Sequence, residues 1–518
     1  MIKAVSNYPG RLSWTPLVIP ARGQAPEKIF FIFAILAGLL IWIDTFPPMV
    51  DLPQHAAQVA MFLRLLHGTQ PWAELYRINW LTPYWLGYFL AAILACVVPV
   101  VAAIKIIVSV SISLTAICAA YLRREVGGGR AWDWLFLPIG FGFAFDWGFF
   151  NFLVGVPVAL SFLVFTLAYL RKPNYGRAVA VGVLALALMF CHVLITAFAC
   201  GMGVLFSLMV AGNIRRVVYT IWPFVIVGPI MLLWWFCVLD REPAAHVANQ
   251  WDISIGRLPE ALIIAVGQRV DAMGAALTIL AIGLPFALGA RLDTDRRWCV
   301  PLALFLAWMQ FGPNVLMGNW FTYQRFGIFF LPFYILALRW KEPLPKYANR
   351  WAMAAGLIML TPIAYRLFMF ERESADFRSV ISTIPPQERV LSGIVAVNSL
   401  VMDRPTYVHF GAWYVGLKPG VNEFSFASFL PEIVRFNKDI NRSSVKIGDE
   451  WNARNYNPAM LASFDYFLVR REPASMPVVN KTVHCDLQIL SRNGDWTVYQ
   501  RGPNGSLPKA IDPCLVWN

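Results

Sequence analysis

KIFFIFAILAGLLIWIDTF, residues 28–46, runs straight into PPMVDLPQHAAQVAMFLRLLHG, residues 47–68. The first stretch is apolar and close to the ~20 helical residues that a bilayer core takes. The second opens with Pro47 and Pro48, and Pro53 follows. Proline ends a helix that runs into it and suits the first turn of one that starts with it. A span therefore ends near Phe46 and a new helix begins near Asp51. From Leu52 to His67 the residues Leu52, Ala56, Val59, Leu63 and Leu66 form one apolar stripe. Asp51, His55, Gln58 and Phe62 fall on the other side at spacings of four, three and four, so they share a face if the helix starts at Asp51. Two readings follow. Asp51 is an N-cap, because a helix start favours a carboxylate, and His55 is an interfacial side chain. Or the two are a functional pair at the membrane surface, with Gln58 beside them.

The rest of the 518-residue chain fits a membrane setting. It is 58% hydrophobic and 14% charged, too little charge for a soluble globular protein of this length. Repeated apolar runs of about 17–25 residues mark a polytopic α-helical membrane protein. The first run is expected to stay as an anchor, since no small-residue cleavage site follows it. The net charge of +13 comes from Lys and Arg in short clusters between apolar runs. Such clusters set topology, and no nucleic-acid partner is expected. The eight cysteines show no CxxC or Cys/His metal spacing. Six lie in or beside apolar segments. Cys485 and Cys514 lie in the polar tail and are expected to come close enough for a disulfide in an oxidising compartment.

Residues 1–27 read as a short cytoplasmic arm. Arg123, Arg124 and Arg130 belong on the cytoplasmic side, as do Arg171, Lys172 and Arg177, Arg215 and Arg216, Arg291, Arg296 and Arg297, and Lys341, Lys346 and Arg350. With the N-terminus inside, a single crossing fits between residues 47 and 123. It falls at 102–121. Residues 82–98, with Tyr84, Trp85, Tyr88 and Phe89, then lie along the outer leaflet as an interfacial helix. Further spans are expected at 134–149, 152–170, 178–194, 196–212, 217–238, 272–290, 299–317, 324–340 and 351–370. The total is about eleven transmembrane helices, an odd number, which puts the tail outside. The transmembrane module is 28–371, with outer loops at 47–101 and 239–271. The second loop holds Asp240, Arg241, Glu242, His246, Asp252, Arg269 and Asp271. From Glu371 the composition changes. Residues 372–518 carry many charges, no spanning run and strand-like pieces at Arg389–Val397, Tyr466–Arg470 and Leu487–Leu490. The last joins Trp496–Tyr499 through Asn493-Gly494, a hairpin signal. Pro431–Asn437 reads as helical. This is a small α/β domain outside the membrane.

Ionisable groups at the outer ends of membrane helices are costly and usually functional. Asp51, His55, Asp146, His192, Arg325 and the 239–271 loop fall on one side in this topology. Asp146 stands in a very apolar setting, either with a partner or with a raised pKa, or as a turn cap. His192 reads as a packed histidine. Arg325 reads as a snorkelling arginine or as a functional cation.

The order of these features resembles the GT-C glycosyltransferase superfamily, which includes the protein O-mannosyltransferases and the lipid A aminoarabinose transferases. Asp51 follows span one as that family's first-loop acid does. Thr82-Pro-Tyr-Trp-Leu86 is similar to its interfacial helix, Arg123-Arg-Glu-Val-Gly127 to its basic turn, and Arg325-Phe-Gly-Ile-Phe-Phe-Leu-Pro332 to a later span. The likeness covers roughly residues 28–340. The family often has a paired Asp-Glu, where this chain has Asp51 with His55.

The resemblance implies transfer of a sugar from a polyprenyl-phosphate donor to a glycan, lipid or protein acceptor at the outer face, in a bacterial inner membrane with the C-terminal domain periplasmic. Asp51 would be the general base, His55 its orienting partner or an alternative base, and Asp146 a second acid. Gln58, Tyr84, Arg269 and Arg325 would bind substrate, the arginines through the leaving phosphate. The resemblance fixes no cofactor; the leaving phosphate needs positive charge or a metal, and Asp51 and His55 are the pair that would hold a divalent cation. The other classes are a non-catalytic membrane component and a transporter or flippase of envelope-polysaccharide assembly. A transporter is expected to show broken helices in matching halves.

Overall fold

The computed structural model describes residues 14–234, 236, 248–316, 318–340, 345, 347–429, 431–437, 445–453, 456, 463–470 and 487–502. Helices dominate. In chain order they are α1 (Lys28–Leu39), α2 (Leu52–Leu66), α3 (Trp85–Ala95), α4 (Val100–Glu125), α5 (Phe143–Asp146), α6 (Phe150–Arg171), α7 (Tyr175–Cys191) and α8 (Val193–Ala211). There follow α9 (Ile214–Val225), α10 (Val227–Trp234), α11 (Arg257–Ala265), α12 (Ala272–Ala287), α13 (Val300–Phe311), α14 (Phe330–Leu336), α15 (Ala348–Ser382) and α16 (Trp413–Leu417). The strands are β1 (Tyr76–Ile78), β2 (Arg291–Leu292), β3 (Val315–Leu316), β4 (Asn319–Trp320), β5 (Leu338–Arg339), β6 (Glu388–Ile394), β7 (Gly420–Asn422), β8 (Val434–Phe436), β9 (Tyr466–Arg470), β10 (Leu487–Asn493) and β11 (Trp496–Arg501).

Among the described residues, α4, α6, α8 and α15 are long and apolar enough to cross a membrane. α9 and α10 make a fifth if they are one span, bent by 51°. The bend has a local cause: Pro229 has no N–H for the Val225 carbonyl four residues back. Several expected spans are shorter or broken. Residues 134–149 form short 3-10 turns and α5, because Pro138, Gly140, Gly142 and Gly148 deny a continuous helix. α13 has 12 residues, about 18 Å long at 1.5 Å per residue, and β3 follows it. The 324–340 segment is a 3-10 turn, the seven-residue α14 and β5. Within 82–98, expected as one helix, α3 takes 11 residues.

The chain divides into two compact units. Unit 1 takes residues 1–34, 113–140 and 155–359. Its arm is tied down by Trp14 N–H to Gly212 O at 2.9 Å and Leu17 N–H to Met209 O at 2.8 Å. Arg123 is wholly buried and grips Asp133 through two nitrogens, at 2.8 and 2.7 Å. It also donates to the carbonyls of Gln24 and Gly128.

Unit 2 takes residues 35–112, 141–154 and 360–518. Its five-stranded sheet runs β10-β11-β9-β6-β7, with β6 parallel to both β9 and β7. β10 and β11 form the expected hairpin, but Asn493 is still paired, with Trp496, and the two-residue turn is Gly494-Asp495, with Gly494 at φ 51°. One face of the sheet is built on Leu391, Phe467, Val469 and Tyr499, packed with Phe424 and Phe426. The stretch expected as a helix at Pro431–Asn437 is the strand β8, paired antiparallel with β1. Strand conformation wins there because the Gln58 side chain reads the Val434 backbone as a neighbouring strand would. It accepts from Val434 N–H at 2.9 Å and donates to Val434 O at 3.2 Å. Gln54 does the same for Phe426 N–H and Phe424 O. α2 is thus buried along its length from Leu52 to Phe62.

Candidate functional site

The site is built in unit 2 at the start of α2. Met49 N–H bonds to Pro47 O at 2.8 Å, which turns the chain after the two prolines. Pro53 sits in the first turn of the helix, where a missing N–H costs nothing. Asp51 precedes that turn, yet its carboxylate accepts no helix N–H. Oδ1 of Asp51 instead stands 3.0 Å from Nδ1 of His409. The simple capping role therefore does not describe Asp51.

The backbone before α2 is fixed by the turn around Asp146. Val50 N–H donates to Asp146 O at 3.1 Å, and Asp51 N–H to Trp147 O at 3.0 Å. Gly148 makes this approach possible. It has φ +72°, and a Cβ there would lie 2.8 Å from Leu52 N and 2.9 Å from Asp51 N. Gly148→Ala is expected to cost about 1–3 kcal/mol through the left-handed backbone alone, and to move Asp51. Gly201→Ala, where a Cβ meets nothing within 4 Å, is the control and is expected to be neutral or stabilising. Thermal unfolding of the two variants checks this; equal unfolding temperatures would refute it.

His409 comes from the loop 403–410. Its ring stacks on Phe424 at 5.3 Å and 11°, and meets Phe426 edge-on at 5.3 Å and 84°. Its Nε2 is buried and has no hydrogen-bond partner among the described residues. The Asp51 side chain is 14% exposed, against 5% for His409. The reachable member of the couple is therefore the carboxylate, and the imidazole is the part that holds it. Arg404 of the same loop lies 4.8 Å from the centre of the Phe143 ring. Burial pushes the Asp146 carboxyl up to about 6, while Arg366 and Arg404 pull it down and Asp403 raises it.

His55 lies one turn along α2 and is 6% exposed. Its Nδ1 is 2.5 Å from the Tyr88 hydroxyl, which in turn contacts the Glu432 carboxylate. Burial lowers the His55 imidazole to about 4, against the opposing pull of Asp51; His409 lowers it further. Burial raises Glu432 to about 8, against its bond from Tyr88; Asp51 raises it further. Phe426 separates the two imidazoles, with its ring 5.5 Å from His55 and 5.3 Å from His409.

Unit 2 thus brings together Asp51, His55 and the Asp146 turn. Gln58 is nearby but holds the Val434 backbone with both ends of its amide. Tyr84 is the residue before α3, half-buried, with Tyr88 one turn on. Arg269 and Arg325 belong to unit 1. There Arg325 donates to Trp320 O at 3.1 Å and approaches Nε2 of His192 at 3.4 Å. Asp240, Arg241, Glu242 and His246 of the 239–271 loop lie outside the described residues, as do Cys485 and Cys514.

The Asp51/His55 pair does not fit a divalent cation. One Asp51 oxygen faces His409, Nδ1 of His55 faces Tyr88, and among the described residues no three His, Cys, Asp or Glu side chains are grouped as metal ligands.

Sequence reasoning missed His409, Glu432 and Arg404. Asp51 and His409 are separated by 358 positions. The available signal was a histidine in Tyr407-Val-His-Phe-Gly-Ala-Trp-Tyr414, an apolar and aromatic run inside a charged tail. Comparison with models of known protein families gave no match. Comparison with curated proteins gave none either.

Proposed function

We propose that this chain is a GT-C-like membrane glycosyltransferase that moves a sugar from a polyprenyl-phosphate donor to an acceptor hydroxyl. The observation that carries the reading is the Asp51 carboxylate, which leaves its helix uncapped to pair with His409 at 3.0 Å and stays the more exposed of the two. Asp51 takes the proton of the acceptor hydroxyl as its oxygen attacks the anomeric carbon. The bond from that carbon to the lipid phosphate breaks, and the phosphate leaves with the electron pair. His409 is a positioning residue that keeps the carboxylate aligned. Arg366 and Arg404, beside Asp146, supply positive charge for the departing phosphate.

The test is transfer in membranes containing the chain, offered radiolabelled undecaprenyl-phosphate hexoses and pentoses. Chain-dependent appearance of label in glycolipid, polysaccharide or protein supports the reading; its absence with every donor sinks it. A flippase is the competing class. The bent α9–α10 pair is the feature that favours it, but a transporter needs a matching broken helix in a second half, and among the described residues no second bent helix pair is long and apolar enough to be a span.

The same proposal takes the membrane as the bacterial inner membrane, with about eleven crossings, the N-terminus cytoplasmic and the tail periplasmic. Arg123, Arg124, Arg171, Lys172 and Arg177 support this orientation by their clustering at the ends of α4 and α6 and the start of α7. Reporter fusions after Arg177 and after Asn518 are expected to report opposite sides. Both on one side would remove this topology.

A further inference from the structure

Three aromatic rings of unit 2 form a row beside Asp51. Phe143 meets Trp147 at 6.1 Å and 35°, and Trp147 meets Trp451 at 5.7 Å and 53°. The backbone ties the middle member to the site, since Trp147 O accepts from Asp51 N–H at 3.0 Å. At one end of the row the Arg404 guanidinium lies 4.8 Å from the centre of the Phe143 ring. At the other end stands Trp451. Phe143 and Trp147 are each 6% exposed, whereas Trp451 is 39% exposed. An open indole forgoes the burial that a large aromatic ring usually gains, and an open ring face is what a ligand platform needs.

Trp451 is also held in place. It ends a single 3-10 turn, Asp449–Trp451. Gly448 N–H donates to Oε2 of the buried Glu450 at 2.5 Å. The Trp451 side chain bonds to the same carboxylate, through the indole N–H, its one donor. That carboxylate also acts electrostatically on His409, the partner of Asp51. Two polar side chains flank the ring in sequence, Asp449, half-buried, and Asn452, exposed. A carboxylate accepts from hydroxyl groups, and an amide both donates and accepts.

We propose that Trp451 is the platform for the acceptor and that the acceptor is a saccharide, an inference that rests on the glycosyltransferase reading for the reaction. A pyranose has an apolar C–H face and a rim of hydroxyls. The face suits the open indole, and the rim suits Asp449 and Asn452. A serine, threonine or simple lipid hydroxyl brings no such ring. Anchoring at a membrane interface is the other common use of an exposed tryptophan, but the carboxylates of Asp449 and Glu450 beside it oppose an anionic lipid surface. The row then divides the substrates. The donor's phosphate belongs at the Arg404 end, the acceptor ring at the Trp451 end, and Asp51 stands beside the middle member. The reacting hydroxyl loses its proton to Asp51 as its oxygen bonds to the anomeric carbon.

The linkage in the product tests the acceptor class without any variant. Membranes containing the wild-type chain, given the radiolabelled undecaprenyl-phosphate sugars, are expected to yield label joined glycosidically to another sugar, read by permethylation analysis. Label on a protein hydroxyl, or on a lipid that carries no sugar, overturns the saccharide acceptor and leaves the transferase reading in place. Trp451→Ala is expected to act on the acceptor KM, about tenfold, rather than on kcat. Trp451→Phe keeps a flat ring and is expected to recover most of the loss. An acceptor KM unchanged in Trp451→Ala overturns the platform. If no donor yields label, binding decides. Saturation-transfer NMR of cellotetraose, maltotetraose and mannotetraose with the full chain in lipid nanodiscs is expected to mark ring C–H protons, and the signal is expected to vanish in Trp451→Ala. Such contact in a chain that transfers no sugar would support the platform and overturn the transferase reading, whereas neither transfer nor contact would overturn both.

Discussion

Asp51→Asn is expected to lower sugar transfer by ~10²–10⁴, the usual worth of a general base, while the protein reaches the membrane in normal amount. Asparagine keeps the size of the side chain, and its amide oxygen still accepts from Nδ1 of His409. It has no basic oxygen for the acceptor's proton. The substitution also costs no helix cap, because the Asp51 carboxylate makes no capping bond. Loss of transfer with normal expression therefore separates chemistry from folding. His409→Ala is expected to lower kcat less than Asp51→Asn, with KM little changed, because the carboxylate loses the partner that holds it in place. Unchanged transfer in Asp51→Asn membranes would return Asp51 to a structural role and move the catalytic assignment to Asp146.

The largest effect on stability is expected at Arg123. Its side chain is fully buried, Asp133 is 1% exposed, and the pair is bidentate at 2.8 and 2.7 Å. Burial already raises the Asp133 carboxyl to about 7 despite the arginine's opposing pull. Arg123→Ala would leave that group buried without its cation, and would strip the Gln24 and Gly128 carbonyls of their donor. Breaking one side of a buried pair typically costs about 3–5 kcal/mol, a large part of a protein's net stability. Adding Asp133→Leu to the same chain is expected to recover part of the loss, since the stranded carboxyl is gone and the volume is kept. Unfolding in detergent, followed by tryptophan fluorescence, measures both. A loss under about 1 kcal/mol in Arg123→Ala, the level of a surface pair, would contradict the account.

Much of this was legible locally. Pro47, Pro48 and Pro53 marked the end of the first apolar run and the start of α2, because proline acts through its own ring and its missing N–H. Asn493-Gly494 marked the β10–β11 turn to within one residue, because Gly494 supplies the positive φ that the Gly494-Asp495 turn needs. α3 appeared where the aromatic run from Tyr84 to Phe89 placed a helix. Apolar length was a weaker guide. Residues 134–149 and 324–340 are as apolar as a span, yet they fold as short turns and helices. Composition says that a segment avoids water and leaves open whether protein or lipid surrounds it.

What the sequence by itself determined is the helical, membrane-suited character of the chain, the turn into α2 and the presence of Asp51 and His55 on that turn. Tertiary structure alone decided what those two residues do. Periodicity put them on one face, but Asp51 meets His409 and His55 meets Tyr88, which in turn meets Glu432, partners brought in by chain closure over 358, 33 and 344 positions. It also made a strand of Val434–Phe436, where Gln58 and β1 supply the hydrogen bonds. Helical spacing and turn chemistry depend on residues a few places apart, whereas the partner of a buried polar group is chosen by whichever distant segment can satisfy it.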